Sequence, residues 1–309
     1  KKGSDVQLIG DYYSACMDED AIEANGIKPI EPVLEQIGKL KTANDVVREI
    51  AELHNQGFPA VFRFGGGRDL KDSNSVIVNS GQSGLSLPNK DYYTKDDAKM
   101  VETRAKFVEY MTKVFDMSGD TPAEAKANAD TVMAIEMRLA KASKAPVEMR
   151  DPDKNYNKIK LSEAQAIIPN LSLKDYMKRR GIPVPETLNF GQPDFFKEVN
   201  AMLKDVPVDQ WKTYFRWMVL DSSASYLPKA LADASFDFHG KYLSGTKEQE
   251  PRWKRCVSAT DRTLGEALGA EYVKTEFTPA AKARMNQLID NLFVAMKAHI
   301  NGLEWMSPA

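Results

Sequence analysis

Residues 251–277 read PRWKRCVSATDRTLGEALGAEYVKTEF. Apolar side chains recur in this stretch mostly every three or four positions, which is the spacing of one face of an α-helix. They are Trp253, Val257, Leu264, Leu268 and Tyr272. The pattern therefore predicts an amphipathic helix over this stretch, with these side chains on its buried face.

The same stretch contains one of the chain's two cysteines, Cys256, and the other, Cys16, lies near the opposite end of the sequence. Two interpretations are open. The pair can be buried thiols that act as small hydrophobic side chains, which are common in intracellular proteins. Alternatively, they form a single disulfide that closes almost the whole chain into a loop. Composition alone favours the separate thiols.

The composition describes a globular chain with an ample core. Of its 309 residues 42% are hydrophobic and 28% charged, and the net charge is −2. So small a charge gives no electrostatic reason to expect nucleic acid or an anionic membrane as partner. No apolar run approaches the roughly 20 residues that cross a bilayer, so we predict no membrane segment. Both ends are abrupt, and we interpret them as cuts within a longer protein.

Helical periodicity runs through most of the chain. Either Asn44 or Thr42 is predicted to cap the helix that begins there, and Thr121 is predicted to start another. A proline in the long helical stretch after Pro207, Pro228, is expected to kink it. A second run, 279–306, is predicted to bury one apolar face. Its members are Met285, Leu288, Ile289, Leu292, Phe293 and Met296.

Residues 60–80 lack the helical periodicity, because AVFRF and SVIVNS are short strand patterns on either side of a turn-rich segment. The predicted fold is therefore mainly α: one multi-helix domain with a single small β-hairpin near residues 60–80. The triplet Gly65–Gly67 lacks the lysine and hydroxyl residue of a phosphate-binding loop, so we expect it to supply positive φ angles in the hairpin turn.

Longer motifs distributed along the chain are those of one enzyme family. They are YYSACMD at 12–18, LSLPNKDYY at 85–93, RDPDKNYNKIKLSE at 150–163, RWKRC at 252–256 and LEWM at 303–306. In this order, from about residue 6 to the end, the sequence resembles the neprilysin and endothelin-converting-enzyme family of zinc endopeptidases.

The resemblance has three consequences for this chain. It implies that Cys16 and Cys256 are bonded to each other. It implies a helical lobe that caps the zinc-bearing domain and limits the size of the peptides that enter. It also places the loop RDPDKNYNK beside the internal cavity, with Arg150 paired to Asp151 and with Tyr156 and Asn157 as anchors. For Arg150 and Asp151 we expect a structural role rather than direct substrate contact.

The sequence departs from the family in one respect, because HExxH, a downstream zinc-ligand glutamate and NAxYxP are all absent. The three histidines, His54, His239 and His299, offer no pair at i and i+4 that could present two imidazoles to zinc. We expect them to be ordinary surface or helix-end residues. The sequence thus predicts no catalytic or metal-binding residue here and an inactive segment, with zinc bound elsewhere in the complete enzyme.

The hypothesis that follows assigns residues 1–300 to a non-catalytic, substrate-restricting lobe and 301–309 to the start of a connection to a catalytic domain. That domain and peptide substrates would be the partners. A disulfide implies an oxidising location: secreted, periplasmic or extracellular. Two alternatives stay open: a stand-alone helical binding or scaffold protein without a catalytic half, and a nicked two-chain enzyme.

Overall fold

The computed structural model describes residues 3–305, and they divide into two compact units. Unit 1 combines the described residues of Lys1–Glu19 and Glu250–Ala309, and unit 2 is Asp20–Gln249. The sequence had predicted one helical domain over 1–300, and nothing in its periodicity marks this division. The connection predicted at 301–309 lies partly outside the described residues.

Helices account for most of the chain, as the periodicity predicts. In the first half they are α1 (Asp5–Met17), α2 (Glu19–Asn25), α3 (Glu31–Gly38), α4 (Ala43–Asn55), α5 (Asp91–Thr94), α6 (Ala98–Met117), α7 (Pro122–Ala142), α8 (Pro146–Met149) and α9 (Pro152–Asn155). In the second half they are α10 (Leu161–Ile167), α11 (Leu173–Arg179), α12 (Pro193–Asp205), α13 (Val208–Ser223), α14 (Lys229–Ser235), α15 (Arg252–Glu276) and α16 (Pro279–Asn301). A 3₁₀ turn (Ala224–Tyr226) and a π-helical segment (Phe236–Leu243) flank α14.

Two helix starts show the capping predicted from sequence. Thr42 accepts a hydrogen bond from the Asp45 amide at the start of α4, and Thr121 accepts one from the Glu124 amide at the start of α7. In both cases the acidic side chain accepts a hydrogen bond from the backbone N–H of the cap residue. Two backbone N–H groups that lack a helical partner are thereby satisfied at each helix start. Pro228, in contrast, does not kink a continuous helix: α13 ends at Ser223, and Pro228 directly precedes α14.

Unit 2 contains a four-stranded mixed sheet in the order β1-β2-β4-β3. The strands are β1 (Phe62–Asp69), β2 (Asp72–Gln82), β3 (Lys158–Lys160) and β4 (Thr187–Phe190). Strands β1 and β2 form the predicted hairpin, β4 joins β2 in parallel, and β3 pairs antiparallel with β4. The sequence missed β3 and β4 because strands of three and four residues are too short to show alternation.

The glycine triplet lies inside β1, whereas the sequence pattern predicts it in the hairpin turn. Gly65, Gly66 and Gly67 pair with residues of β2, and none of them has a positive φ angle. The turn is made instead by the residues between Asp69 and Asp72, and the register shifts just before it, between Arg68 and Asp69.

Aromatic side chains join the sheet to the helices of unit 2. The ring of Phe62 in β1 lies 5.4 Å from that of Tyr176 in α11 and 5.6 Å from that of Phe196 in α12. Trp217 of α13 lies 5.8 Å from Phe107 of α6, and both are buried. Large rings in edge-to-face or tilted contact contribute both area burial and specific geometry, so they fix the sheet against the surrounding helices.

Unit 1 consists of α1, α15 and α16, and it buries little. No residue of α1 or α16 is buried, and in α15 only Cys256, Ala259 and Thr260 are. The predicted helix over 251–277 is present, with non-helical angles at Leu264.

The predicted burial in unit 1 is wrong for many of the apolar side chains. In α15 Trp253, Val257 and Tyr272 are exposed, and so are all six apolar side chains predicted to be buried in α16. The physical reason is that no element of unit 1 covers these faces. Separately, within residues 3–305 no helix is long and apolar enough to cross a membrane.

Candidate functional site: the asparagine loop on the sheet

The motif at 150–158 forms a loop that is hydrogen-bonded to the sheet through Asn157. Its amide N–H donates to Asn189 Oδ1 at 2.7 Å, and its Nδ2 donates to the Gly191 carbonyl at 2.9 Å. Asn189 Nδ2 in turn donates to Asn79 Oδ1 at 2.9 Å, so three asparagines connect the loop, β4 and β2. The anchoring of Asn157 uses side-chain amides that can donate and accept at once.

A second anchor of the loop is a carboxylate at the end of β1, Asp69, which is 1% exposed. Tyr156 donates its hydroxyl to Asp69 Oδ1 at 2.7 Å, and Lys158 Nζ lies 2.9 Å from Asp69 Oδ2. The Lys71 amide donates to Oδ1 at 3.0 Å. These donors, with the Lys71 amide first, lower the pKa of Asp69 to about 2, so it is ionised at neutral pH.

Arg150 and Asp151 do not form the ion pair that the sequence analysis expected. Asp151 accepts a hydrogen bond from the Lys154 amide at 3.2 Å and lies 3.1 Å from Lys154 Nζ, so its carboxylate is used at the start of α9. Arg150 is exposed and has no ion pair among the residues that the structure describes. Asp151 therefore has a local structural role, whereas Tyr156 and Asn157 connect the loop to the sheet.

Further polar contacts, which the sequence analysis missed, continue the network beyond the loop. Gln82 and Lys144 exchange two hydrogen bonds through the Gln82 amide and the Lys144 backbone, at 3.0 and 2.7 Å. The side chain of Gln192 donates to Asn155 Oδ1 at 2.9 Å and accepts a hydrogen bond from the backbone N–H of Gln82 at 2.9 Å. A cavity of about 340 Å³ opens beside Gln82 and Lys144. No short motif links these residues, because they come from four separate parts of the chain.

The loop anchor gives a first testable outcome. Asp69→Ala leaves Tyr156 and Lys158 without their acceptor, so local opening of the loop should increase and tryptic cleavage after Lys154 and Lys158 should rise about tenfold. Limited proteolysis with mass spectrometry measures this. The control is Asp153→Ala, an exposed carboxylate of the same loop. Equal cleavage of both variants would show that Asp69 does not hold the loop.

The residues present do not fit a zinc site. Among residues 3–305, no three side chains of His, Cys, Asp or Glu come together in a group that could hold a metal ion. His239 Nε2 lies 2.9 Å from Asp221 Oδ1, and His299 is exposed in the last turn of α16. His54, expected to be an ordinary surface or helix-end residue, lies in the last turn of α4, and both its ring nitrogens form hydrogen bonds.

Enclosure changes the chemistry of His54. Its Nε2 donates to the Ala60 carbonyl and its Nδ1 accepts from the Tyr176 hydroxyl, each at 2.7 Å. Burial is the main reason that its pKa falls to about 4, and it is therefore neutral at physiological pH. With both nitrogens engaged inside unit 2, His54 is a structural residue.

Comparisons with known proteins agree with the motifs. A sequence model of peptidase family M13 matches residues 1–309. The chain is 27% identical over 317 residues to the endothelin-converting enzyme homolog of Locusta migratoria and 28% identical over 316 residues to neprilysin-3 of Drosophila melanogaster. Each alignment covers 96% of this chain, but only 43% and 40% of the relative.

Solved structures give the same result in three dimensions. The zinc metalloprotease Zmp1 of Mycobacterium tuberculosis matches in its inhibitor complex with a TM-score of 0.87 and 29% identity, over 97% of this chain and 45% of that chain. Its open state matches with a TM-score of 0.87 and 31% identity, over 99% and 48%. This chain thus spans less than half the length of the proteins it matches, and it belongs to peptidase family M13, in which it corresponds to the N-terminal domain.

Proposed function

We propose that this chain is the non-catalytic helical part of a zinc-dependent endopeptidase, in which it caps the active-site chamber and limits the size of the peptides that enter. The observation that carries this proposal is the end-to-end family match of a sequence that contains no HExxH. The catalytic domain and the zinc would then lie on chain outside this sequence, and peptides would be the substrates.

The apolar surface of α16 supports a partner of this kind. Its exposed apolar side chains recur at helical spacing and include Phe293, which is 72% exposed, and Leu292. Exposed apolar side chains that form a stripe along one helix face are typical of a surface that contacts a partner. Since the chain covers less than half of its relatives, we assign the catalytic half of the same protein as the occupant.

The disulfide supports an oxidising location. The structure contains a bond between Cys16 and Cys256, which is the pairing that the family resemblance implied. Because structural disulfides persist in secreted, periplasmic and extracellular proteins, we propose one of these locations for the parent enzyme.

A peptidase assay tests the proposed function. The purified chain alone should give no zinc-dependent cleavage of a flexible peptide, and the complete enzyme should cleave that peptide but not a folded protein with the same sequence in a surface loop. Chelator-sensitive cleavage by the chain alone would contradict the non-catalytic role. Equal cleavage of peptide and folded protein would contradict size restriction. An open reading frame that stops after residue 309 would favour the stand-alone binding protein instead.

A further inference from the structure

Strand β1 is an edge strand of the sheet in unit 2. It hydrogen-bonds to β2 along Phe62–Asp69, and it is the first strand of the sheet. Among the described residues of unit 2, no backbone or side-chain group bonds to the opposite side of residues 63–68. A strand edge of this kind presents a row of free amide and carbonyl groups, which is a template for another strand.

The contacts of β2 show which groups of β1 face outward. The Ser80 carbonyl accepts from the Gly191 amide at 3.1 Å, so the backbone of Ser80 points towards β4. Its partner across the hairpin, Phe64, is therefore in a non-hydrogen-bonded pair with it. Because the pattern alternates, the amide and carbonyl groups of Phe64 and Gly66 point away from β2, to the free edge.

The glycines at this edge are only partly explained by the fold. A Cβ atom at Gly67 would meet Asn79 Nδ2 at 2.9 Å, so an internal neighbour requires that glycine. At Gly65 a Cβ atom would meet nothing within 4 Å, and at Gly66 only Val76 at an ordinary 3.8 Å. Neither has a positive φ angle. Glycine weakens a strand interior, and it is typical of a bulge, of a tight bend or of a place where a ligand or another backbone approaches closely. The irregularity of β1 lies beyond the glycines, between Arg68 and Asp69, so the close approach of another backbone is the meaning that the proposal adopts.

The usual protection against pairing is confined to the two ends of this edge. Natural edge strands are blunted by proline, by charged side chains or by bulges. In β1 the charged residues Arg63 and Arg68 stand at either side of an uncharged stretch, 64–67, and the register shift comes only after Arg68. Within this stretch Phe64 is buried, Gly65 and Gly67 are half-buried and Gly66 is exposed, and the two flanking arginines are exposed. An added strand would therefore approach at the glycines.

A cavity of about 650 Å³ lies beside Gly66, and its lining combines apolar residues with the polar and charged side chains of Asp69, Ser75, Lys158, Glu186 and Thr187. Gly66 lines it from β1, Val76 and Val78 line it from β2, and Ile182, Pro183 and Pro185 line it from the connector before β4. Val76 is 82% exposed. Since Gly66 has no side chain, a side chain opposite it on the same face of an added strand can reach the cavity.

We propose that the free edge of β1 binds an extended peptide as a fifth strand of the sheet, with an apolar side chain in this cavity and acidic residues beside Arg63 and Arg68. Backbone hydrogen bonds would supply affinity and the cavity would supply selectivity, as in other complexes formed by strand addition. The identity of the peptide as substrate rests on the proposed function, and the binding itself rests on unit 2 alone. The domain would then hold its substrates as well as restrict them.

The test uses an end-blocked fluorescent peptide of alternating valine and threonine with a glutamate at each end, and measures its binding to this chain by anisotropy. Gly66→Pro removes an outward N–H that β2 does not use and should weaken binding about tenfold or more, whereas Gly66→Ala keeps the N–H and should stay within about twofold. Circular dichroism and thermal unfolding check that both variants fold.

A second arm uses the unaltered chain, so it decides the question even if Gly66→Pro does not fold. Peptides N-methylated on one alternate set of amides should lose binding, and those methylated on the other set should keep it. No binding, equal loss from both sets, or a concentration-dependent dimer in place of peptide binding would overturn the proposal. Anisotropy measures binding without catalysis, so a failure of strand addition does not contradict the proposed peptidase role. Conversely, cleavage by the chain alone would contradict that role without contradicting strand addition.

Discussion

Reduction of the Cys16–Cys256 bond is expected to release helix α1 from helix α15 while unit 2 stays folded. The two segments of unit 1 are 240 positions apart in sequence. Besides the disulfide, the polar contacts between them include a bond from Arg252 Nε to the Cys16 carbonyl at 2.8 Å and one between Thr263 and Tyr12 at 3.1 Å. In the chain-entropy model, a loop of this length corresponds to a stabilisation of about 5 kcal/mol relative to the fully unfolded chain, and that figure does not apply to the release of α1 from a folded unit 2.

The expected loss is local, because α1 has no buried residue to hold it once the bond is gone. The core of unit 2, in contrast, contains fully buried side chains such as Trp217 and Phe107 and does not depend on the disulfide for its packing. Hydrogen exchange followed by mass spectrometry, with and without reductant, should show lost protection over residues 5–17 and unchanged protection in α4 and α13.

The double variant Cys16→Ser, Cys256→Ser is the matched control for the reductant, because it removes the bond without adding a reagent. It should give the same exchange pattern as the reduced protein. If residues 5–17 keep their protection in both, the contacts between α1 and α15 are sufficient and the disulfide has little effect on unit 1. Lost protection throughout unit 2 would show that the two units unfold together.

The fold could be predicted from sequence wherever a local pattern was long enough. Helices such as α6 and α7 show many turns of apolar periodicity, and the cap at Thr121 was visible in four residues. Strands β3 and β4 were not predictable, because their short segments are extended only through pairing in the sheet. The apolar faces of α15 and α16 were predicted to be buried because periodicity shows which side chains share a face, but not what covers it.

The candidate site was predictable only in part, and for a similar reason. The motif at 150–163 located Tyr156 and Asn157, but their partners Asp69 and Asn189 are distant in sequence and carry no motif. The predicted pairing of Arg150 with Asp151 was wrong because the Asp151 carboxylate caps α9 and accepts a hydrogen bond from the backbone N–H of Lys154. A cavity wall or a free strand edge likewise arises from tertiary structure and leaves no local signature.

The contribution of Glu136 to the unfolding free energy is expected to fall with rising pH, because this carboxyl group is fully buried in α7. It accepts hydrogen bonds from the hydroxyls of Ser86 at 2.6 Å and Tyr93 at 2.5 Å, but burial outweighs them and raises its pKa to about 7. The native state therefore binds a proton more readily than the unfolded chain. Stability from this group is complete below the unfolded pKa of 4.5 and is lost as pH rises through about 7.

His54 opposes this trend, because its pKa is lowered from 6.5 to about 4. The unfolded chain binds the proton more readily in this case, so stability from His54 is present above pH 6.5 and is lost as pH falls through about 4. Between pH 4.5 and 6.5 the contributions of the two groups to the unfolding free energy change in opposite directions. Removing either group is expected to reveal the slope of the other.

The unfolding free energy of Glu136→Gln minus that of the unaltered chain should therefore increase as pH rises from 4 to 8. The expected increase is about 3 kcal/mol, because each unit of pKa shift corresponds to about 1.4 kcal/mol. Urea unfolding followed by tryptophan fluorescence is suitable, since Trp217 Nε1 donates to Ser86 Oγ at 2.8 Å beside the carboxyl group. Glu102→Gln, the same change at an exposed site of α6, is the control. If the difference in unfolding free energy between Glu136→Gln and the unaltered chain stays constant with pH, Glu136 has the same pKa in the folded and unfolded states. Burial would then not shift the pKa of this carboxyl group.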